Sequence, residues 1–191
     1  MMRNTILLFG IIATFAIAMF GLTILPKMFI DKAVKEPDYY TPFEVTEGHR
    51  IFVREGCIYC HSKQVRAEGF GADFERGWGR ASVATDYRNL LPHNLGTMRT
   101  GPDLANIGAR QPGRDWHYLN LYQPRAINEH SIMPPFSWLF EVVSEDARPG
   151  DEGLRLPEAY RIPGMKVLPT DEAHSLVAYL ISLDQQTAGV D

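Results

Sequence analysis

The first 26 residues of the chain and the remainder follow different patterns of polar and apolar positions. From Asn4 to Pro26 no side chain is charged, and the run from Thr5 to Leu25 is apolar almost throughout. As a helix those 21 residues would rise about 31 Å, enough to cross the hydrocarbon core of a bilayer. A secretory signal peptide has a shorter apolar region than this. Ala16-Ile17-Ala18 offers a small-residue cleavage site, but cutting there would leave Met19-Phe20-Gly21-Leu22 at the new terminus. The expectation is therefore a retained anchor. The pattern divides the chain into a tip (1–4), a transmembrane anchor (5–26), a linker (27–44) and a folded domain (45–191).

Pro26, Pro37 and Pro42, alternating charges and the pair Tyr39-Tyr40 mark the linker. The tyrosines suit either the headgroup level of a membrane or plain solvent. A helix is expected from about Val45-Thr46 towards Cys57, with Gly48 and Phe52 four apart and so on one face. A last helix is predicted after Pro169. Thr170 is its N-cap, and Asp171 and Glu172 occupy its positive first turn. Leu176, Val177, Leu180 and Ile181 form its apolar stripe, with Tyr179 beside it.

Two long stretches show neither period. One is the 39 residues from Ser62 to Thr100, which carry Phe70, Phe74, Trp78 and Tyr87 and are too aromatic for a disordered tail. They are expected to pack against something. The other, Leu139 to Leu168, is rich in Pro, Gly and acid and reads as a solvated loop. The predicted fold class is mainly α, with a single N-terminal transmembrane helix and long irregular insertions.

Chemistry enters at Cys57-Ile58-Tyr59-Cys60-His61. This is the C-x-x-C-H pattern of c-type haem attachment, in which two thiols bond one porphyrin and the following histidine is the proximal iron ligand. The chain has no other cysteine. A structural zinc site would need a second ligand pair, whereas His49, His93, His117, His130 and His174 stand singly. A thioredoxin-type pair would need a preceding strand, and no Val/Ile-rich run comes before Cys57. With His61 alone the iron would be five-coordinate and open to gases. A methionine thioether as sixth ligand closes it for electron transfer. Outside the anchor region lie Met98, Met133 and Met165. Met133 sits in Ser131-Ile132-Met133-Pro134-Pro135, where prolines stiffen the loop. The alternative is that it simply fills the core.

Charge changes the picture little. The net charge of −4 argues against a nucleic-acid partner. It is unevenly spread: Ser62 to Arg125 has nine Lys/Arg against six Asp/Glu, a net of +3, and Ala126 to Asp191 has four against eleven, a net of −7. Glu141, Glu145, Asp146, Asp151 and Glu152 either solubilise this region or guide a basic partner.

The order of features resembles the class I cytochrome c fold. It runs from a helix with Gly48 and Phe52 through C-x-x-C-H, Gly101-Pro102-Asp103-Leu104 and Met133-Pro134 to a helix with Tyr179-Leu180. The resemblance implies that the Pro102 carbonyl orients His61, that Met133 is the second axial ligand, and that Gly48 and Phe52 meet the Tyr179 region. Further motifs sharpen it. Arg54-Glu55-Gly56-Cys57, Trp78-Gly79-Arg80-Ala81-Ser82-Val83-Ala84, Arg99 to Ala105, Trp116-His117, Pro124-Arg125, Ser131 to Pro134 and Ser137-Trp138-Leu139 are similar to the mono-haem subunit II of cbb3-type cytochrome c oxidases. Met133-Pro134-Pro135-Phe136 stands where that family usually has Met-Pro-Ala-Tyr.

This second resemblance implies one covalent haem c held by Cys57, Cys60, His61 and Met133, with Pro102, Leu104 and Arg125 also on the cofactor. It implies a non-catalytic electron-transfer subunit in a bacterial inner membrane, with its tip in the cytoplasm and its haem domain in the periplasm. Lys27, Lys32 and Lys35 follow the span and only Arg3 precedes it, which by the positive-inside rule favours the reverse orientation. Large domains translocate largely regardless of such charges, and the haem argument prevails. The implied partners are a haem–copper catalytic subunit and, as donor, a dihaem cytochrome c subunit or a soluble cytochrome c. A calcium ion at the interface with the catalytic subunit is also implied, near Gly96-Thr97. The corresponding subunit of a nitric oxide reductase, a free anchored shuttle cytochrome and a haem gas sensor are the competing readings.

Overall fold

A computed structural model describes residues 2–33, 41–87 and 92–185. Tyr39 and Tyr40, assigned above to the membrane interface or solvent, lie outside the described residues. The chain forms two compact units, one of residues 1–39 with 83–89 and one of residues 40–82 with 90–191.

The first unit is built on continuous helix: α1 (Met2–Met19), a π-helical turn (Phe20–Ile24) and α2 (Leu25–Ala33). The wide turn has a local cause. Pro26 cannot donate a backbone hydrogen bond, and its ring crowds the carbonyl four residues back. The chain loosens just before it, so that the Leu25 N–H bonds the Phe20 carbonyl. Helix therefore continues past Pro26 into the expected linker. The stretch Asn4–Phe29 has the length and composition to cross a membrane, and none of it is buried inside the protein. In the same unit Ala84–Tyr87 is a 3-10 turn, closed by the Asp86 carboxylate accepting from the Val83 N–H at 2.8 Å.

In the second unit α3 (Phe43–Arg54) crosses α6 (Asp171–Ser182). Gly48 permits the crossing. A Cβ at that position would lie 2.6 Å from the Cβ of Tyr179 and would run into the Ser175 backbone. Phe52 meets the Tyr179 ring edge-on at 5.5 Å, and Leu176, Val177 and Tyr179 are fully buried. Thr170 caps α6 by accepting from the Ala173 N–H at 3.3 Å. Its hydroxyl also donates to the Leu139 carbonyl at 2.8 Å. Two helices complete the unit: the short α4 (Ile107–Arg110), which rests on the end of α6 through the Gly108 N–H to Leu183 carbonyl bond of 3.0 Å, and α5 (Arg114–Tyr122).

Leu139 to Leu168 is not simply a solvated loop. Strand β1 (Phe140–Ser144) pairs antiparallel with β2 (Met165–Pro169), in the register Phe140↔Pro169 to Ser144↔Met165. Val167 and Leu168 are buried, and the Leu154 N–H adds a bond to the Val167 carbonyl at 2.8 Å. The pairing escaped sequence analysis because the two five-residue strands are joined by a long connection with no hairpin turn signal.

The first long stretch packs only in part. Trp78 is buried with Val65 and Ala105. The guanidinium groups of Arg76 and Arg99 lie 5.0 and 5.2 Å from its ring centre. Phe70 and Phe74, also expected to pack, are 78% and 60% exposed.

Candidate functional site

The C-x-x-C-H segment begins where α3 stops. Gly56 takes the left-handed conformation, with φ of 73°, which turns the chain out of the helix at no steric cost. A 3-10 turn, Cys57–Tyr59, follows. The Cys57 carbonyl then accepts from the N–H groups of Cys60 at 3.2 Å and His61 at 2.9 Å.

Two backbone bonds press residues 101–104 against this segment: Gly101 N–H to the Cys60 carbonyl and Leu104 N–H to the Ser62 carbonyl, both 2.8 Å. They bring the Pro102 carbonyl to 2.7 Å from His61 Nδ1. A carbonyl can only accept, so Nδ1 carries the proton and Nε2 keeps its lone pair for a metal. Burial, opposed by the Pro102 bond, lowers the His61 pKa and favours the same neutral form. Gly101 lies flat on the imidazole, and any Cβ there would collide with the ring.

A buried polar network stands behind these residues. The Asp103 carboxylate accepts from Ser62 Oγ at 2.6 Å and from the N–H groups of Gln64 and Ala105, each at 2.8 Å. Arg99 donates to Ser62 Oγ at 2.8 Å and pairs with the buried Asp73, which itself accepts from the Arg66 N–H at 2.7 Å. Asp73 is thereby held below its ordinary pKa against the opposing effect of burial. The stretch after His61 is fixed by charges that sequence analysis did not assign. Arg99 and Asp103 were visible in the quoted motifs, but Asp73 carried no signal.

Cys57, Cys60, His61, Pro102 and Leu104 all line one cavity of about 570 Å³, and Met133 lines it too. Met98 and Met165 do not, and they are 55% and 38% exposed. Arg125 is exposed and does not line the cavity. In the 3-10 turn Pro124–Ala126 it is Pro124 that is buried and turned to it.

The Met133 loop is tied back to α5 by the Phe136 N–H bonding the Leu121 carbonyl at 2.8 Å. Asn120 on α5 reaches the Met133 thioether, with its Nδ2 at 3.6 Å from Sδ. Glu55, also on the cavity, accepts from Trp138 Nε1 at 3.0 Å and from Arg54 at 2.8 Å. That contact links the start of the cysteine motif to the far end of the methionine loop. Glu55 stood in a quoted motif without a role assigned to it, and Asn120 was not singled out in the sequence.

Burial pushes the Cys57 thiol up to about 12, so unmodified it is a protonated, weakly reactive thiol, while Cys60 is exposed. Next to the motif, Lys63 is buried. Its ammonium donates to the Tyr179 hydroxyl at 2.7 Å and sits 5.2 Å from the centre of the Phe52 ring, and burial lowers its pKa to about 8.

The donor set fits a haem. An apolar cavity presents two thiols in attachment spacing, a neutral imidazole with its Nε2 free, and a thioether. The Gly101 backbone occupies space against the imidazole that any side chain would fill. The five acidic residues that either solubilise this region or guide a partner are all exposed on the β1 strand and the connection after it, with Glu141 paired to Arg148 at 2.7 Å.

Comparison with known families agrees with this donor set. The family model described as cytochrome c oxidase, mono-haem subunit (FixO) matches residues 1–155. No individual curated protein matches the chain. The chain belongs to the mono-haem subunit family of cytochrome c oxidases, the cbb3-type subunit that the sequence resembles, and that membership implies a haem c cofactor and a complex with a catalytic subunit.

Proposed function

We propose that this oxidase subunit is a membrane-anchored one-electron carrier, with residues 45–191 forming a class I cytochrome c domain around a single haem c. The observation that carries the reading is the convergence of Cys57, Cys60, His61, Pro102 and Met133 on one apolar cavity, with the imidazole tautomer set by Pro102. When bound, the haem supplies a ferric/ferrous couple. Cys57 and Cys60 hold it through thioether bonds. His61 Nε2 and Met133 Sδ would bind its iron. Pro102 keeps His61 neutral and oriented, and Leu104 and the surrounding apolar lining exclude water and so reduce reorganisation on electron transfer. Arg125, exposed next to the buried Pro124, would stand at the cofactor's solvent-facing edge.

The apolar N-terminal helix is the anchor, and the haem domain faces the periplasm. Electrons arrive from a dihaem subunit or a soluble cytochrome c and leave to the low-spin haem of the catalytic subunit, where oxygen is reduced. The exposed Phe70 and Phe74 dock on that subunit, and the acidic surface at Glu141 to Glu152 guides a basic donor. The test is to purify the complex through a tag on this chain and to follow haem c oxidation while supplying oxygen or, anaerobically, nitric oxide. Rapid oxidation by oxygen with turnover supports the reading. Turnover with nitric oxide alone would assign the chain to a nitric oxide reductase.

A further inference from the structure

A thioether that ligates iron through one sulfur lone pair keeps a second. That lone pair is free to accept a hydrogen bond, and a donor placed there withdraws electron density from the metal bond. Asn120 is so placed. It lies on the face of α5 that lines the cavity, one position before Leu121, whose carbonyl accepts from Phe136 and so fastens the methionine loop to this helix. Its Nδ2 stands 3.6 Å from Met133 Sδ, a normal separation for an N–H donor on the larger sulfur atom. The sulfur can only accept, so the amide nitrogen is the end of the side chain that faces it. Ser131 Oγ accepts from the Met133 backbone N–H at 3.3 Å, so main chain and side chain of Met133 are held by separate polar contacts.

We propose that Asn120 is a positioning residue for the Met133 ligand, donating its side-chain amide N–H to Sδ so that the thioether is held at one rotamer and its donor strength toward ferric iron is reduced. This rests on Met133 being the axial ligand, as argued above. A weaker sulfur donor disfavours the ferric state more than the ferrous, so the contact favours the reduced haem.

The experiment compares wild type, Asn120→Leu and Asn120→Gln as full-length holoprotein, by redox titration against a mediator and by the near-infrared sulfur-to-iron charge-transfer band. A net hydrogen bond changes an equilibrium by roughly 2–12-fold, and a sulfur acceptor puts this one at about 2–5-fold. Asn120→Leu is expected to shift the reduction equilibrium toward the oxidised form by that factor and to move or broaden the band. Asn120→Gln, which keeps an amide donor, is expected to stay closer to wild type. If Asn120→Leu does not accumulate with haem, Asn120→Ala is read in the same way. Unchanged potential and band in the donor-less variants, or equal shifts in the Leu and Gln variants, would overturn the proposal. A wild-type band that survives Met133→Leu would instead show that the ligand assignment itself is wrong.

Discussion

The two parts of the cavity lining that carry His61 and Met133, the proposed axial ligands, are held in different ways. Around His61 the geometry is fixed by backbone and by buried charge. Gly101 and Leu104 bond to Cys60 and Ser62, Pro102 bonds the imidazole, and Asp103 gathers three donors behind them in a buried interior. Around Met133 the described residues form no such network. The loop is stiffened by Pro134 and Pro135, stapled once to α5 through Phe136, and touched at its sulfur by Asn120, while Ile132 beside it is exposed. Buried polar bonds leave few alternative arrangements, because breaking any one strands a donor or acceptor away from water. A proline-braced surface loop resists bending but tolerates substitution. On the proposed ligation, the difference makes the histidine side the rigid one and the methionine side the one where the iron can be adjusted.

Gly101→Ala attacks the comparison hardest. The added methyl collides with the His61 ring, and its neighbours are already bonded in place, so overpacking costs about 3 kcal/mol or more and the yield of holoprotein collapses. Pro135→Ala, on the methionine side, is expected to cost less than about 1 kcal/mol. Haem absorbance per milligram of protein and chemical denaturation measure both, and equal losses would erase the distinction.

Asp103→Asn is the next largest. It removes a buried charge that accepts from Ser62, Gln64 and Ala105, for a loss of about 1–3 kcal/mol in denaturant midpoint experiments. Removing an exposed carboxylate on the Met133 side, by Glu129→Gln, is expected to stay within about 0.5 kcal/mol.

The smallest effect concerns pH. His49 is buried at the helix crossing against the Tyr179 ring, and its Nε2 has no hydrogen-bond partner among the described residues. Burial, helped by the Lys63 charge, lowers its pKa from 6.5 to about 4. The folded state therefore resists protonation more than the unfolded state does. The stability due to neutral His49 is complete above pH 6.5 and is lost as pH falls through about 4. His49→Phe is expected to flatten the acid limb of stability over that window by up to about 2 kcal/mol. An acid limb of unchanged slope would show that the crossing is not the acid-sensitive point.

What the sequence showed and what it hid follow from the range of the interactions involved. The apolar N-terminal helix, α6 with its Thr170 cap, and the Cys57–His61 motif are local patterns with fixed spacing, and the structure has a helix at each of the first two and places the third on the cavity. Helix α3 starts two residues earlier than expected, after Pro42. The β1–β2 pairing, the clasp from Glu55 to Trp138 and the Asp73–Arg99 pair join positions far apart in the chain, and no periodicity announces them. Arg125 is a different kind of case. A motif named it, and it is exposed next to Pro124, which is buried on the cavity. Asn120 had no motif at all and became visible only once α5 and the methionine loop were brought together.

The central claim is that the haem iron is held between His61 and Met133. The most direct measurement is the near-infrared spectrum of the oxidised full-length holoprotein, recorded for wild type and for Met133→Leu, Met98→Leu and Met165→Leu. The account predicts a sulfur-to-iron charge-transfer band in wild type that persists in the Met98 and Met165 variants and vanishes in Met133→Leu, together with a fall in reduction potential. A band that survives Met133→Leu and disappears with Met98→Leu or Met165→Leu would contradict it.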